Sequence, residues 1–452
     1  MSSGVRNDDG HGAAMKSQFY ELAARLEREL APGETLLCNL SAERSDFVRF
    51  NQARVRQAGS VEQRYLSLRL VRARRQASAT IALAGDGDDA ALARQTLTRL
   101  REALGELPED PWLLVNETPR SSEIERRGAL APAPALVEQA MSAAAGRDLV
   151  GFYAGGTIYR GFANSHGQRN WHEVDSFNFD WSLYRQGDQA VKTSYAGFDW
   201  DAGAFAAKMV QAAEQLELLA LPRRTIEPGE YRAYLTPRAL AEVLGLLCWG
   251  GFSARARETK QSPLMRMEEG RTLAPQITLT ENIAAGVAPA FQAEGFVKPP
   301  VVPLITAGKL AEPLVSPRSA KEYGLATNAA NGGEVPESLD MAAGSLAERD
   351  VLQALDSGLY ISNLWYLNFS DRPAGRITGM TRFATFRVEG GRIAAPVTPM
   401  RFDESVYRLL GETLVDLTRE RELLPDSSTY GERQSSSVRL PGALVSALRF
   451  TL

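Results

Sequence analysis

Apolar positions in the first third of the chain change period twice. Phe19, Leu22, Ala23, Leu26 and Leu30 recur at helical spacing, which predicts a helix over Met15 to Leu30. APGE breaks it. Apolar and polar residues then alternate. DFVRFNQARVRQAG reads as two β arms around a turn, and RYLSLRLVRARR puts Leu66, Leu68 and Leu70 on one face with Ser67 and Arg69 on the other. ASATIALAG continues the sheet and GDGDD marks a turn. DAALARQTLTRLREAL, 89–104, returns to helical period with an acidic start. Strands and helices in blocks predict an α+β domain over residues 15–105.

Residues 106–133, rich in proline, serine and charge, read as a linker. A helix near 135–145 opens a central unit, 134–225, whose body is the aromatic, strand-rich run LVGFYAGGTIYRGFANSHGQRNWHEVDSFNFDWSLY. A helix over 203–219, with Phe205, Met209, Ala212, Leu216 and Leu219 on one face, closes it. IEPGE at 226–230 marks the boundary to a C-terminal domain, 226–452. Here GLYISNLWYLNFS and RITGMTRFATFRVEGGRIAAPV read as strands, the latter turning at Gly390 and Gly391. RFDESVYRLLGETLVDL reads as a helix and VRLPGALVSALRFTL as a final strand. ALAEVLGLLCWGGF, 239–252, is an apolar helix starting just after a proline and stopping at glycines. The polar leader MSSGVRNDDGHGAA, 1–14, reads as a disordered tail. FVRFNQARVRQAG and IYRGFANSHGQRNWHE echo one another as paired arms around an asparagine.

With 452 residues the chain is long enough for two or three domains. Lys and Arg number 51 against 55 Asp and Glu, a net charge of −4 that gives no electrostatic reason to expect nucleic acid or an anionic membrane as partner. No run of about 18 apolar residues marks a membrane span, and the cytoplasm is the expected location. Two cysteines, Cys38 and Cys248, exclude a disulfide framework and a thiolate cluster. No P-loop, G-x-G-x-x-G or G-x-S-x-G occurs.

Three histidines, His11, His166 and His172, limit the available chemistry further. SHGQRNWHEVDSF lacks the second histidine of a zincin helix and reads as a hairpin. On one strand His166 and His172 would share a face about 20 Å apart, too far to chelate one ion, so hydrogen-bonded strand or turn histidines are the simpler reading. Glu173, Asp175 and Asp180 suit a cation or a basic peptide, or else charge on the solvated face of a sheet. Cys248, between Leu247 and Trp249, reads as a small hydrophobe. NAANGGE, 328–334, offers backbone amides to an anion, or is a plain turn. Tyr360, Trp365, Tyr366 and Phe369 are dense enough to line a groove for an extended peptide, or to form core.

Several stretches together resemble one family, the TldD/PmbA (TldD/TldE) proteins. GGTIYRGFANSHGQRNWHEVDSFNFDWSLY resembles its middle-domain signature. GLYISNLWYLNFSDRPAGRITGMTRFATFRVEGGRIAAPVTPMRFDESVYRLLG matches its C-terminal motifs in order and spacing, and DFVRFNQARVRQAG fits its N-terminal domain. The resemblance runs from about residue 16 to 452. It implies a three-part α+β architecture with a large, curved, mainly antiparallel C-terminal sheet. The family contains two kinds of subunit. TldD-like chains resemble zinc peptidases with HExxxH and a late cysteine, whereas TldE-like (PmbA-like) chains lack those ligands and pair with the first kind. Laid on this chain, HEAxGH falls on Ala241 to Leu246. Both histidine positions are apolar, Ala241 and Leu246, the glutamate persists as Glu242, and the cysteine position falls near Tyr430.

Methyl and isobutyl groups have no lone pairs to give a metal. A lone Glu242 is left as a relic or as an i,i+4 partner of Arg238. The resemblance therefore implies no metal, no cofactor and no catalytic residue of the chain's own. It points to a TldE-like partner of a TldD-like HExxxH subunit in a heterodimer acting on unfolded peptides. The competing readings are a stand-alone, homodimeric peptide-binding protein without proteolysis, and a peptidase using His166, His172 and Glu173.

Overall fold

The computed structural model describes residues 9–451. Two sheets organise them. The first has seven strands. β1 (Thr35–Asn51) and β2 (Arg54–Arg72) form one long hairpin, and β3 (Arg75–Ala82) extends it beyond β2. After β4 (Ser122–Arg126), β5 (Asp148–Asn164) and β6 (Arg169–Tyr184) form a second long hairpin, followed by β7 (Ala190–Gly197). The hairpins lie side by side, β1 antiparallel to β5 from Leu37↔Asn164 to Phe50↔Gly151. Along the far edge of β6, β4 pairs in parallel and β7 antiparallel.

Side chains alternate across such a sheet. On one face Leu36, Cys38 and Leu40 of β1 and Leu66, Leu68 and Leu70 of β2 pack under helices α1 (Asp9–Glu27) and α2 (Asp89–Ala103). Farther along the same face, Phe50, Tyr153, Phe179 and Trp181 pack under α3 (Ala133–Ala143) and α4 (Ala202–Leu218). The opposite face meets the C-terminal domain.

That domain holds the second, eleven-stranded sheet. Its strands are β8 (Gly229–Leu235), β9 (Leu279–Glu281), β10 (Val302–Thr306), β11 (Lys309–Leu310), β12 (Ser338–Met341), β13 (Gly358–Asp371), β14 (Arg376–Glu389), β15 (Arg392–Pro396), β16 (Arg401–Ser405), β17 (Leu414–Pro425) and β18 (Ser437–Phe450). Pairing is antiparallel except for β8 with β13 and β12 with β18. β18 bonds both β16 and β8, so the path β8–β13–β14–β16–β18 closes on itself. This is the curved, mainly antiparallel C-terminal sheet that the sequence predicts. Helix α5 (Pro237–Cys248) packs on β13 and β18 over the largest apolar core.

Several elements differ from the sequence reading. The stretches 15–105 and 134–225 share one hydrogen-bonded sheet, because β1 and β5 pair across more than a hundred residues of sequence. The linker 106–133 contributes β4 to that sheet. α1 starts at Asp9, so His11 sits on a helix 3.3 Å from Glu62 instead of in a tail; residues 1–8 lie outside the described residues. RFDESVYRLLGETLVDL is strand β16, a π-helical turn at Arg408–Glu412 and the start of β17. Its apolar spacing mimics a helix, but Arg401–Ser405 pairs antiparallel with Arg376–Met380 of β14, with one further pair from Phe402 to Phe450 of β18, and these ladders decide the outcome.

Loop 426–436, between β17 and β18, docks the C-terminal domain onto the first sheet. Arg433 is buried there and donates to the Gly156 carbonyl at 3.1 Å, the Ser176 carbonyl at 2.8 Å and Ser176 Oγ at 2.9 Å. Its own N–H donates to the buried Glu43 at 3.3 Å.

NAANGGE contains a turn, the Glu334 N–H donating to the Asn331 carbonyl at 2.9 Å. It supplies an anion of its own. Glu334 is fully buried and accepts from Ser253 Oγ at 2.5 Å, the Arg255 N–H at 2.8 Å, and the Ser316 N–H and Oγ at 2.9 Å. Ser253 and Ser316 cap the short helices Ala254–Glu258 and Pro317–Tyr323, so one carboxylate ties two helix starts together. Burial alone would raise its pKa, but the donated hydrogen bonds outweigh it and the pKa is lowered. Glu334→Gln is expected to cost about 2–4 kcal/mol at neutral pH. A folded-state pKa below the unfolded value near 4.5 makes this contribution complete above that pH. It fades as pH falls through the folded value, so urea unfolding of both proteins should show the difference shrinking on acidification.

Candidate functional site

The site is built around α5. Thr236 caps it, accepting from the Ala239 N–H at 3.3 Å and donating to the Ser362 carbonyl at 2.6 Å, and Pro237 occupies the first turn, where its missing N–H costs nothing. Ala239, Leu240, Val243, Leu244 and Leu247 are fully buried and fix the helix on the core. Arg372 holds its C-terminus, donating to the Trp249 carbonyl at 2.6 Å with its guanidinium 5.1 Å from the Trp249 ring and 5.5 Å from Phe369.

The outer stripe of α5 carries Arg238, Glu242, Gly245 and Trp249, at spacings of four, three and four. Arg238 does not close an i,i+4 pair with Glu242. Its guanidinium reaches across to Asp180 on β6 and bridges the two sheets. Glu242 remains open to solvent, yet the surrounding protein desolvates its carboxyl and raises its pKa against the pull of Arg238 and Lys192.

Beside this stripe runs a valley. Its floor is a groove of about 500 Å³ on the first sheet, where Arg49, Arg56, Phe152, Asp180 and Lys192 converge near the β1–β2 turn. It continues by contact onto β14 and β13. Lys192 Nζ lies 5.9 Å from the Phe383 ring, and the Arg382 guanidinium 5.2 Å from Phe383 and 4.5 Å from Trp365. Trp365 meets Tyr366 at 5.7 Å. Basic and aromatic side chains from both sheets thus face one seam.

The four aromatics singled out in the sequence divide. Tyr360 is core, its ring 5.5 Å from Tyr234 and 6.3 Å from Phe386, and burial pushes its phenol upward. Phe369 is half-buried beneath Arg372. Trp365 and Tyr366 stand 52% and 78% exposed. Tyr430 is 97% exposed, so it touches almost nothing, α5 included. Loop 426–436, which bears it, is anchored instead to the first sheet.

The polar candidates of the central domain are buried or half-buried and mostly paired within the chain, although His172 Nδ1 is buried without a hydrogen-bond partner. His172 Nε2 lies 3.0 Å from the Val287 carbonyl, and burial lowers its pKa to about 4. His166 sits in the β5–β6 turn with Nε2 3.5 Å from Thr35 Oγ1. Glu173, adjacent to His172 on the strand and so on the other face, accepts from Trp171 and Arg127. Asp175 accepts from Thr157 Oγ1 at 2.6 Å and the Gly128 N–H at 3.1 Å. These carboxylates are therefore neither a solvated stripe nor an open cation site. Cys248 packs against the core with its thiol pushed up to about 12 by burial, which suits an inert small hydrophobe.

The sequence of the C-terminal half, residues 228–452, matches the PmbA/TldA metallopeptidase C-terminal domain. The chain belongs to the TldD/PmbA family. Solved structures share its fold. TldE from Thermococcus kodakarensis superposes with a TM-score of 0.76 at 15% identity, covering 97% of this chain and 100% of that one. A Thermotoga maritima protein labelled a modulator of a DNA gyrase gives 0.75 at 14% identity, covering 96% and 100%. A similarly labelled Bacteroides thetaiotaomicron protein gives 0.75 at 15%, covering 96% and 98%. No curated protein matches by sequence.

The metal implied by a metallopeptidase family does not fit this α5. Ala241 and Leu246 are half-buried, pack against the C-terminal core and hold no lone pairs, and Tyr430 points into solvent. Among the described residues, no three His, Cys, Asp or Glu side chains converge to hold an ion. Nor is any helix of the described residues long and apolar enough to cross a membrane. The sequence reading missed Arg433, the Arg238–Asp180 bridge and the valley cations. One available signal was Phe47 and Arg49, which alternation places on a single face of β1.

The split among the aromatics has a direct check. Tyr360→Ala is expected to cost about 2–4 kcal/mol through a core cavity, and Trp365→Ala no more than about 0.5 kcal/mol. Chemical denaturation of the two variants reads the difference.

Proposed function

We propose that this chain is a non-catalytic, TldE-like subunit. It pairs with a TldD-like zinc peptidase and helps to bind and present unfolded peptides for the partner to cut. One observation carries the reading: in a family described as metallopeptidase, the helix assigned to metal binding offers a single carboxylate, Glu242, between Ala241 and Leu246. A full structural zinc site is worth about 10–16 kcal/mol of binding, and without imidazole or thiolate donors almost none of it is available. With no metal, no bound water acquires the lowered pKa that hydrolysis needs. The likeness in fold to a protein named TldE and the aromatic seam beside α5 agree with a peptide-handling role. Extended peptides suit such a surface because main-chain hydrogen bonding tolerates many sequences.

Four measurements test this. Metal analysis is expected to find no stoichiometric zinc, and casein should survive incubation with the chain alone. Ala241→His combined with Leu246→His should gain no activity, since a third ligand and its supporting shell are absent. Adding an HExxxH subunit should give a stable hetero-complex and peptide cleavage. Casein digestion without a companion, or zinc that disappears in His172→Ala, would overturn the proposal. A stable homodimer that ignores the HExxxH subunit would assign the chain to stand-alone peptide binding.

A further inference from the structure

The valley has a charge opposite to that of the chain. The whole sequence is net −4. Yet Arg49 and Arg56 from the first hairpin, Lys192 from β7 and Arg382 from β14 gather along one seam. Two carboxylates share it. Asp180 is occupied by Arg238, and Glu242 is left to offset the rest. Among the described residues, Arg49, Arg56 and Arg382 have no acidic partner within 4.0 Å. Scattered unpaired surface cations are ordinary, but these line the two walls of a single groove.

A second observation concerns the backbone. Tyr366 and Phe383 have φ of 57° and 56°, a left-handed conformation that bulky residues rarely adopt. Each costs on the order of 1–3 kcal/mol. Both lie on the cation-rich rim, where the β13–β14 register slips between Trp365 and Asn368. Strain and exposed aromatic surface both lower stability, and they coincide beside the free guanidinium groups.

We propose that the valley takes an extended peptide segment bearing aspartate or glutamate side chains. Its carboxylates meet Arg49, Arg56 and Arg382, and its apolar side chains lie over Trp365 and Tyr366. This deepens the peptide-handling reading above and rests on it. Guanidinium groups bind carboxylates through charge-assisted hydrogen bonds, so acidic side chains gain affinity where lysines meet like charge. Single-stranded nucleic acid also suits basic and aromatic grooves, but Asp180 in the floor, Glu242 beside it on α5 and the acidic balance of the chain oppose a phosphate backbone.

The test uses the full chain and one labelled, unstructured peptide in glutamate-, serine- and lysine-bearing versions, followed by fluorescence anisotropy. The glutamate version is expected to bind at least about tenfold tighter than the serine version at low salt, with the lysine version weakest. The advantage should shrink toward about 1 M salt, where the screening length falls to about 3 Å. Arg49→Glu with Arg382→Glu should erase the preference while leaving the thermal midpoint in place, since both side chains are exposed. Equal binding of all three peptides, or a preference that survives the double variant, would overturn the acidic-segment proposal alone. Tighter binding of a single-stranded oligonucleotide than of the glutamate peptide would overturn it in favour of nucleic acid. Failure of every peptide to bind would remove the peptide-handling reading together with it.

Discussion

One buried guanidinium fastens the two sheets to each other. Arg433 leaves the C-terminal domain on a polar loop and ends inside the first sheet, held by Gly156, Ser45 and Ser176 with Glu43 nearby. Desolvation lowers its pKa to about 10, which still leaves it cationic at neutral pH. Gly156 itself is needed for the pairing of β1 and β5: with φ of 151°, a Cβ there would lie 2.1 Å from the Arg44 carbonyl. Removing one partner of such a buried charged contact generally costs about 3–5 kcal/mol, because the other is left desolvated and unpaired. Arg238 and Asp180 make a second crossing beside α5. The Arg238–Asp180 contact sits at the valley itself, since Asp180 is part of its floor.

α5 has a clear packing role, whatever its chemistry. Five of its residues are fully buried under β13 and β18, and Ala241 and Leu246 rest against the same core. Burying a leucine contributes about 1.5–3 kcal/mol. An imidazole at that place would need a metal or a hydrogen-bond partner to offset its own desolvation. Apolar residues at these two positions therefore make the helix a better structural element and a poorer ligand platform at once.

Local pattern carried much of the fold. Period-two runs such as RYLSLRL and the helical run at 89–104 formed as their spacing dictates, because their neighbours in space are largely their neighbours in sequence. The failures were non-local. Nothing within DFVRF announces that Phe50 will lie opposite Gly151, and RFDES became a strand by pairing along its length with β14 and at Phe402 with β18. The site was less legible for the same reason. The positions Ala241, Glu242 and Leu246 could be read from the family resemblance, but Arg433 sits unremarkably in STYGERQSS. Glu334 looked like part of a loop until two distant serines were brought to it.

Catalysis and recognition differ in how their free energy is distributed, and this makes the proposed role physically coherent. A zinc peptidase concentrates about 10–16 kcal/mol of metal binding in three or four donor atoms, so changing two side chains removes it. A recognition groove spreads its energy over many contacts, each cation–π or charge-assisted interaction worth about 0.5–3 kcal/mol. Here those contacts come from five strands, β1, β2, β7, β13 and β14, belonging to both sheets. Loss of donors on α5 leaves that surface intact, provided Arg433 and Arg238 still hold the sheets together. On the proposed reading, two apolar positions on α5 remove the chemistry and the spread-out groove is what holds a peptide.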